Sequence, residues 1–111
     1  MIIDFHTHAF SEKIVRRAMD ALVHNSGGLS PCTDGTVPSL LQCEAAAGVD
    51  RCVLLNIATK PTQQRVVNDF AISLLHTPGV IPFGSVHPLA PDALDELERI
   101  AQAGLLGIKL H

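Results

Sequence analysis

The chain contains no tryptophan and no tyrosine, and only 17% of its 111 residues are charged. Soluble domains usually carry about 25% charged residues, so this chain is poor in charge for its size. Its hydrophobic fraction is 47%, within a length that accommodates one domain over residues 1–111. Such a composition is expected when both faces of a sheet are covered, or when apolar surface is kept for a partner.

Other absences exclude several classes of protein. The formal net charge is −3 with no basic stripe, which argues against a nucleic-acid partner. No apolar run approaches the roughly 20 residues of a membrane span, and the first residues lack the basic and apolar regions of a signal peptide. The three cysteines, Cys32, Cys43 and Cys52, form no paired motif. Reduced thiols and a cytoplasmic location are therefore predicted.

Apolar segments alternate with segments of helical periodicity. We predict strands over 1–5, 51–57, 80–87 and 105–111, and helices over 12–24, 38–47, 62–75 and 92–104. Ser11 is expected to cap the first helix, and Pro38 and Gly48 to mark the start and end of the second. The glycines and prolines of 25–36 indicate a loop. This alternation predicts an α/β fold with a parallel sheet and right-handed crossovers.

Two histidines stand two positions apart in the sequence Ile-Asp-Phe-His-Thr-His of residues 3–8. Side chains two apart on a strand point to the same face, and neutral imidazole is a common metal ligand. We predict that His6 and His8 bind a divalent metal, and zinc, iron, nickel and copper all suit histidine ligands. Asp4 is predicted to share their face, either orienting a ligand or serving as a buried structural carboxylate.

Polar residues recur at the carboxyl ends of the other predicted strands. They are Asn56, Ser85, His87, Lys109 and His111. In parallel α/β folds this end of the sheet carries the site. Lys109 and His111 are the candidate catalytic residues. Lys109 could act as a charge partner, as a carboxylated ligand, or only as a snorkelling lysine, and His87 is expected to line the pocket or to serve the structure.

Three segments resemble the amidohydrolase superfamily of metal-dependent TIM-barrel hydrolases, in particular its amidohydrolase-related branch. Residues 3–8 are similar to that family's first strand, and residues 37–55 are similar to its second helix and strand. The sequence Gly-Ile-Lys-Leu-His at 107–111 is similar to its fourth strand. The resemblance extends over the whole chain.

This resemblance implies a (β/α)8 barrel in which a divalent metal, usually zinc, activates water to hydrolyse a small-molecule substrate. His6 and His8 match the first-strand ligands, and Lys109 lies on the strand where some relatives carry a carboxylated lysine that bridges two metals. Some relatives instead catalyse non-oxidative decarboxylation. Four predicted strands correspond to half of an eight-stranded barrel. The family's remaining ligands, on strands five, six and eight, have no counterpart in these residues.

We therefore predict four βα-type units that form the N-terminal half of a metal-dependent hydrolase barrel, inactive alone. Its two exposed edge strands favour self-association or completion by a missing C-terminal half. A phosphoesterase of the polymerase-and-histidinol-phosphatase type is an alternative, because it also begins Asp-x-His-x-His and has a Ser-Asp-Gly loop similar to residues 33–35. Residues 55–59 lack its Thr-Asp-His, however. A non-catalytic half-barrel that serves binding or assembly is a third reading.

Overall fold

Four short apolar segments form parallel strands, and helices connect them. In the computed structural model, which describes residues 1–110, the strands are β1 (Ile3–Thr7), β2 (Arg51–Leu55), β3 (Val80–Ser85) and β4 (Ile108–Lys109). The helices are α1 (Val15–Asn25), α2 (Val37–Ala46), α3 (Gln64–Ser73) and α4 (Ala93–Gln102), with a 3-10 turn (Pro61–Gln63) before α3. The strands pair in the order β1-β2-β3-β4. The predicted α/β class and parallel sheet are confirmed, and the sheet curls into a half-barrel.

The core lies between one face of the sheet and the helices. Cys52 and Leu54 of β2 are fully buried and pack with Leu40 of α2 and Val80 of β3. Burial raises the pKa of the Cys52 thiol, so this cysteine is an inert core residue. A second cluster, which includes Ile100 of α4, packs where α3 and α4 meet the sheet. We call the covered side the helix face and the opposite side the open face of the sheet.

The helix boundaries differ from prediction mainly at α1. Ile14 occupies its N-cap position without a side-chain hydrogen bond, so the prediction that Ser11 caps this helix is wrong. The Ser11 carbonyl instead accepts the backbone N–H groups of Ile14 and Val15, because the chain first makes a turn over 12–14. At α2 the predicted Pro38 lies in the first turn, and Gly48 follows the last turn with φ +75°.

Strand lengths also differ from prediction. β1 continues to Thr7, whose hydroxyl donates to the Val53 carbonyl at 2.9 Å. β4 is only two residues long, against the seven predicted. In the part of the chain that the structure describes, β4 has a neighbour only on the β3 side, so few ladder bonds extend it. The candidate catalytic His111 lies outside the described residues.

α1 is the least integrated helix, because none of its residues is buried. It rests on the loop before α2, where Gly35 has φ +84° and a Cβ would come within 2.6 Å of the Met19 side chain. Glycine is required there both by the left-handed backbone and by the close approach. None of the helices within residues 1–110 has the length and apolar character of a membrane span.

Candidate metal centre

A break in the strand register decides where the β1 side chains point. Ile3 pairs with Arg51 and Asp4 with Cys52, but the next pair is Thr7 with Leu54. Phe5 and His6 together therefore oppose the single residue between these partners, which is the geometry of a β-bulge. A bulge interrupts the alternation of side chains. Residues an even number of positions apart, with the bulge between them, therefore no longer point to the same face of the sheet.

The consequence is that Asp4 and the histidines lie on opposite faces. Asp4 is paired with the core residue Cys52, and its charge helps to raise the pKa of Glu44 on α2, behind the larger effect of burial. Thr7 also points to the helix face, since its hydroxyl interacts with the Cys52 thiol. The prediction that Asp4 shares a face with His6 and His8 is therefore wrong. Its carboxylate instead accepts the backbone N–H of His6 at 2.9 Å, which stabilises the bulge.

His6 and His8 flank Thr7 and so point to the open face. Their ring centroids lie 5.1 Å apart with planes at 70°. Two imidazoles that bind one tetrahedral zinc at about 2.0–2.1 Å place their ring centres roughly 5 Å apart. The observed separation therefore fits two ligands of a single metal ion.

His8 is held in one orientation by the neighbouring strand. Its Nδ1 lies 2.9 Å from the Leu55 carbonyl oxygen, and a carbonyl only accepts, so Nδ1 carries the proton. The lone pair of the neutral ring then belongs to Nε2. A backbone carbonyl that fixes the tautomer in this way is the usual partner of a metal-binding histidine. His8 is half-buried while His6 is exposed.

Lys109 lies at the opposite edge of the same sheet. It pairs with Ser85, whose hydroxyl donates to the Lys109 carbonyl at 2.7 Å and accepts the Ala58 N–H at 3.0 Å. This parity assigns the half-buried Lys109 to the open face, together with Phe83 of β3. The structure thus puts the histidines and Lys109 at the carboxyl ends of strands on one face, with two strands between them.

Asn56 and His87, the other polar candidates at the carboxyl ends of the strands (the rim of the sheet), have structural roles. Asn56 is buried and its amide donates to the Phe83 carbonyl at 3.0 Å, which joins the end of β2 to β3. The Nδ1 of His87 accepts the Leu89 backbone N–H at 3.2 Å, and the backbone N–H of His87 donates to the Gln64 side-chain oxygen at 3.1 Å. The His87 bonds organise the turn after β3, and among residues 1–110 His87 belongs to no group of three side chains placed to hold a metal.

The loop that resembles a phosphoesterase motif is also structural. Asp34 accepts the backbone N–H of Thr36 at 2.9 Å and its hydroxyl at 2.7 Å, and these bonds lower the pKa of the Asp34 carboxyl. Thr36 in turn caps α2 by accepting the Ser39 N–H. The carboxylate therefore builds the entry to a helix.

Sequence reasoning missed a buried polar network below the rim. Asn68 of α3 accepts the Ser85 N–H at 2.7 Å, and its amide group donates to the Ser85 carbonyl and to Glu96 of α4, both at 2.9 Å. Glu96 is 3% exposed, and hydrogen bonds from Arg99 lower the pKa of its carboxyl. The sequence did contain a signal for the burial of these two residues. Asn68 stands three positions before the buried Ala71, and Glu96 four positions before the buried Ile100, and residues at this spacing lie on the same face of a helix.

Two clefts on the surface of the described residues lie away from the histidines. One, of about 180 Å³, opens beside Glu44, Cys52 and Gly79 at the amino end of the sheet. A second, of about 380 Å³, lies between Phe10 and Phe70 on the helix face. Neither His6 nor His8 lines these two clefts.

Among residues 1–110, no group of three His, Cys, Asp or Glu side chains is placed to hold a metal. The described part of the chain thus offers two imidazoles, one fewer than the three protein ligands of a usual catalytic zinc site. No protein-family model, curated protein or solved structure matches the chain. The assignment of the candidate metal centre therefore rests on the residues of this chain alone.

Proposed function

We propose that this chain is the N-terminal half of a metal-dependent hydrolase of the amidohydrolase type, a TIM barrel in which a divalent metal, with zinc as first choice, sits at the strand ends. The observation that carries the proposal is the bulge in β1, which turns His6 and His8 to the open face with ring centres 5.1 Å apart. Bulges commonly re-aim side chains beside active sites. The resemblance of residues 3–8 and 107–111 to the family supports the same reading.

A bound divalent metal would supply a water with a pKa near 7 for attack on a small-molecule substrate. The residues of this chain contribute binding and orientation. The Leu55 carbonyl holds His8 in the tautomer that a metal ligand needs. Lys109, fixed through its backbone by Ser85, brings a cation to the far side of the rim, where it would attract an anionic group of the substrate.

The remaining ligands and the rest of the barrel must come from outside the described residues. A partner half that covers the open face would supply them and would exclude water from the site. A decarboxylase of the same superfamily would use the same two histidines. The non-catalytic half-barrel is the second candidate, because the described residues provide only two ligands.

Metal binding tests the proposal directly. Zinc affinity is measured by calorimetry and with cobalt as a spectroscopic probe on the 111-residue protein, its His6→Asn/His8→Asn variant and a His76→Asn control. His76 is an exposed histidine after α3. We expect the double variant to lose at least about tenfold in affinity and the control to match the wild type. Equal affinity in all three proteins would refute the assignment.

Hydrolysis is then assayed with the zinc-loaded protein on an activated ester, an N-acyl amide and a phosphate monoester. Turnover above that of free zinc, lost in the His6→Asn/His8→Asn variant, supports the enzyme. Because the partner half completes the site, the assay is repeated after any second polypeptide that co-purifies is added back. Metal binding with no turnover in either condition favours the binding or assembly role.

A further inference from the structure

Strand β1 has two ways of aligning with β2, one with the bulge and one without it. In the observed alignment Thr7 lies opposite Leu54. An unbroken ladder that starts from the same pair, Asp4 with Cys52, would instead bring His6 opposite Leu54. A shift of one residue turns every side chain beyond it to the other face of the sheet. The two alignments therefore differ in where both histidines point.

In the unbroken alignment the histidines would point into the core. Alternation along the strand would put His6 and His8 on the helix face and turn Thr7 away from it. The observed structure does the opposite, since Thr7 is 6% exposed and Ala9, two positions on, packs with Cys52 in the core of the helix face. A metal site on the open face therefore requires the bulged alignment.

Two side chains of β1 form hydrogen bonds across the break in the ladder. The Asp4 carboxylate accepts the backbone N–H of His6 at 2.9 Å. The Thr7 hydroxyl donates at 2.9 Å to the carbonyl of Val53, the residue that the two bulge residues oppose. In the unbroken alignment Thr7 would lie opposite Leu55, two positions beyond Val53, and this bond could not form. The pattern of hydrogen bonds is thus specific to the bulged alignment.

We propose that Asp4 and Thr7 are positioning residues of the candidate metal centre. Their hydrogen bonds hold β1 in the bulged alignment and thereby direct His6 and His8 to the same face. Thr7 lies between the two histidines, so fixing it toward the helix face turns both of its neighbours to the open face. The inference rests on the proposed function only for what the histidines bind.

The ring of His8 reports on the alignment without any metal. Its Nδ1 lies 2.9 Å from the Leu55 carbonyl oxygen, which keeps the proton on Nδ1. In the unbroken alignment the ring would move to the other face and lose this bond. NMR of the ring nitrogens distinguishes the two tautomers of a neutral imidazole. The tautomer of His8 is therefore a readout of position that is separate from the stability of the fold.

Two pairs of variants separate the hydrogen bonds from the shape of the side chains. Thr7→Val removes the hydroxyl but keeps a branched side chain, whereas Thr7→Ser keeps the hydroxyl. Asp4→Ala removes the acceptor, whereas Asp4→Asn keeps an acceptor oxygen. We expect Thr7→Val and Asp4→Ala to show a mixture of the two His8 tautomers. In these variants, cross-strand nuclear Overhauser contacts are expected to place His6 rather than Thr7 opposite Leu54. Thr7→Ser and Asp4→Asn are expected to match the wild type.

Ile100→Val on α4 is the matched control for a general loss of stability. Ile100 is 1% exposed, in a cluster that contains no residue of β1. Removing one of its methyl groups lowers the stability of the fold, and we expect the His8 tautomer to stay as in the wild type.

Zinc affinity, measured by calorimetry on the same variants, links the inference to the proposed function. We expect Thr7→Val and Asp4→Ala to bind zinc at least about tenfold more weakly than the wild type, the usual loss when a group that orients a ligand is removed. A wild-type protein that binds no zinc, with the expected changes of the His8 tautomer in the variants, would reject the proposed function and leave the positioning role standing.

The inference is wrong if Thr7→Val and Asp4→Ala, verified as folded by circular dichroism, both keep His8 protonated on Nδ1 alone. The packing of Ala9 would then be enough to hold the bulge. It is equally wrong if Ile100→Val disturbs the tautomer as much as they do, since the change would then follow from lost stability. If Thr7→Val does not fold, the comparison of Asp4→Ala with Asp4→Asn decides.

Discussion

Asn68 illustrates how much one side chain contributes at the residue scale. Its amide satisfies both the N–H and the carbonyl of Ser85, at the point where β3 has passed the end of β2. Without it, two backbone groups in the buried interior would lack partners. Because Ser85 also binds the Lys109 carbonyl, Asn68 helps to set the position of the candidate site on β4.

Glu96 completes this network, and its ionisation makes stability depend on pH. The pKa of its carboxyl lies below the ordinary value of 4.5, first because Arg99 donates hydrogen bonds to it. A carboxyl with a lowered pKa contributes stability above its ordinary pKa and loses that contribution as pH falls through the lowered value. Glu96 is therefore fully stabilising at neutral pH.

We predict that Glu96→Gln destabilises the fold by about 2 kcal/mol at pH 7, because an amide nitrogen replaces an acceptor of Arg99. The difference from the wild type is expected to shrink below pH 4.5, where the wild-type carboxyl becomes protonated. Urea denaturation between pH 7 and pH 3 measures both effects. Glu98→Gln is the matched control, since Glu98 is exposed and binds only Gln102 among the described contacts. A constant difference across the pH range would contradict this account.

At the scale of elements, glycine determines how closely the helices approach β3. A Cβ at Gly84 would lie 2.7 Å from Cδ1 of Ile100 on α4 and 2.9 Å from Oδ1 of Asn68 on α3. Both distances are shorter than any ordinary contact of a carbon atom. Gly84 is therefore the position where α3 and α4 both touch the sheet, and its missing side chain permits the buried network.

We predict that Gly84→Ala destabilises the protein by about 2 kcal/mol, the usual cost of overpacking a core. Ile100→Val removes the Cδ1 atom that the new methyl group would meet. The double variant Gly84→Ala/Ile100→Val is therefore expected to be more stable than the sum of the two single changes. A double-mutant cycle from denaturant unfolding measures this coupling, and additive effects would show that the contact with Ile100 is not the source of the cost.

At the scale of the whole molecule, the four strands of the sheet are expected to differ in their protection from hydrogen exchange. β2 and β3 are paired on both sides, whereas β1 and β4 each have one neighbour in the described residues. Val53 and Leu54 of β2 are fully buried, while Ile3 and Ile108 at the edges are partly exposed. Local opening is easiest where few contacts hold the backbone.

We predict that in the metal-free protein at low micromolar concentration, amides of β2 exchange with deuterium at least about tenfold more slowly than those of β1 and β4. β3 is the internal reference, since it is also paired on both sides. Equal protection of all four strands in dilute, metal-free protein would contradict an open sheet.

Particular residues show how far the sequence could predict this structure. The strand–helix alternation, the parallel sheet, and the positions of Pro38 and Gly48 at α2 followed from local patterns and turn chemistry. The directions of the β1 side chains could not be predicted in this way, because strict alternation between the two faces assumes an unbroken strand ladder. Asn68 and Glu96 were also missed, because a buried polar residue is recognised only when its partners on other elements are known.

By itself, the sequence determined the elements and their order, together with the two histidines two positions apart at the end of the first strand. These depend on interactions between near neighbours in the chain. Only the tertiary structure decided that Asp4 faces the core while His6 and His8 face outward, because the register between β1 and β2 joins residues almost fifty positions apart.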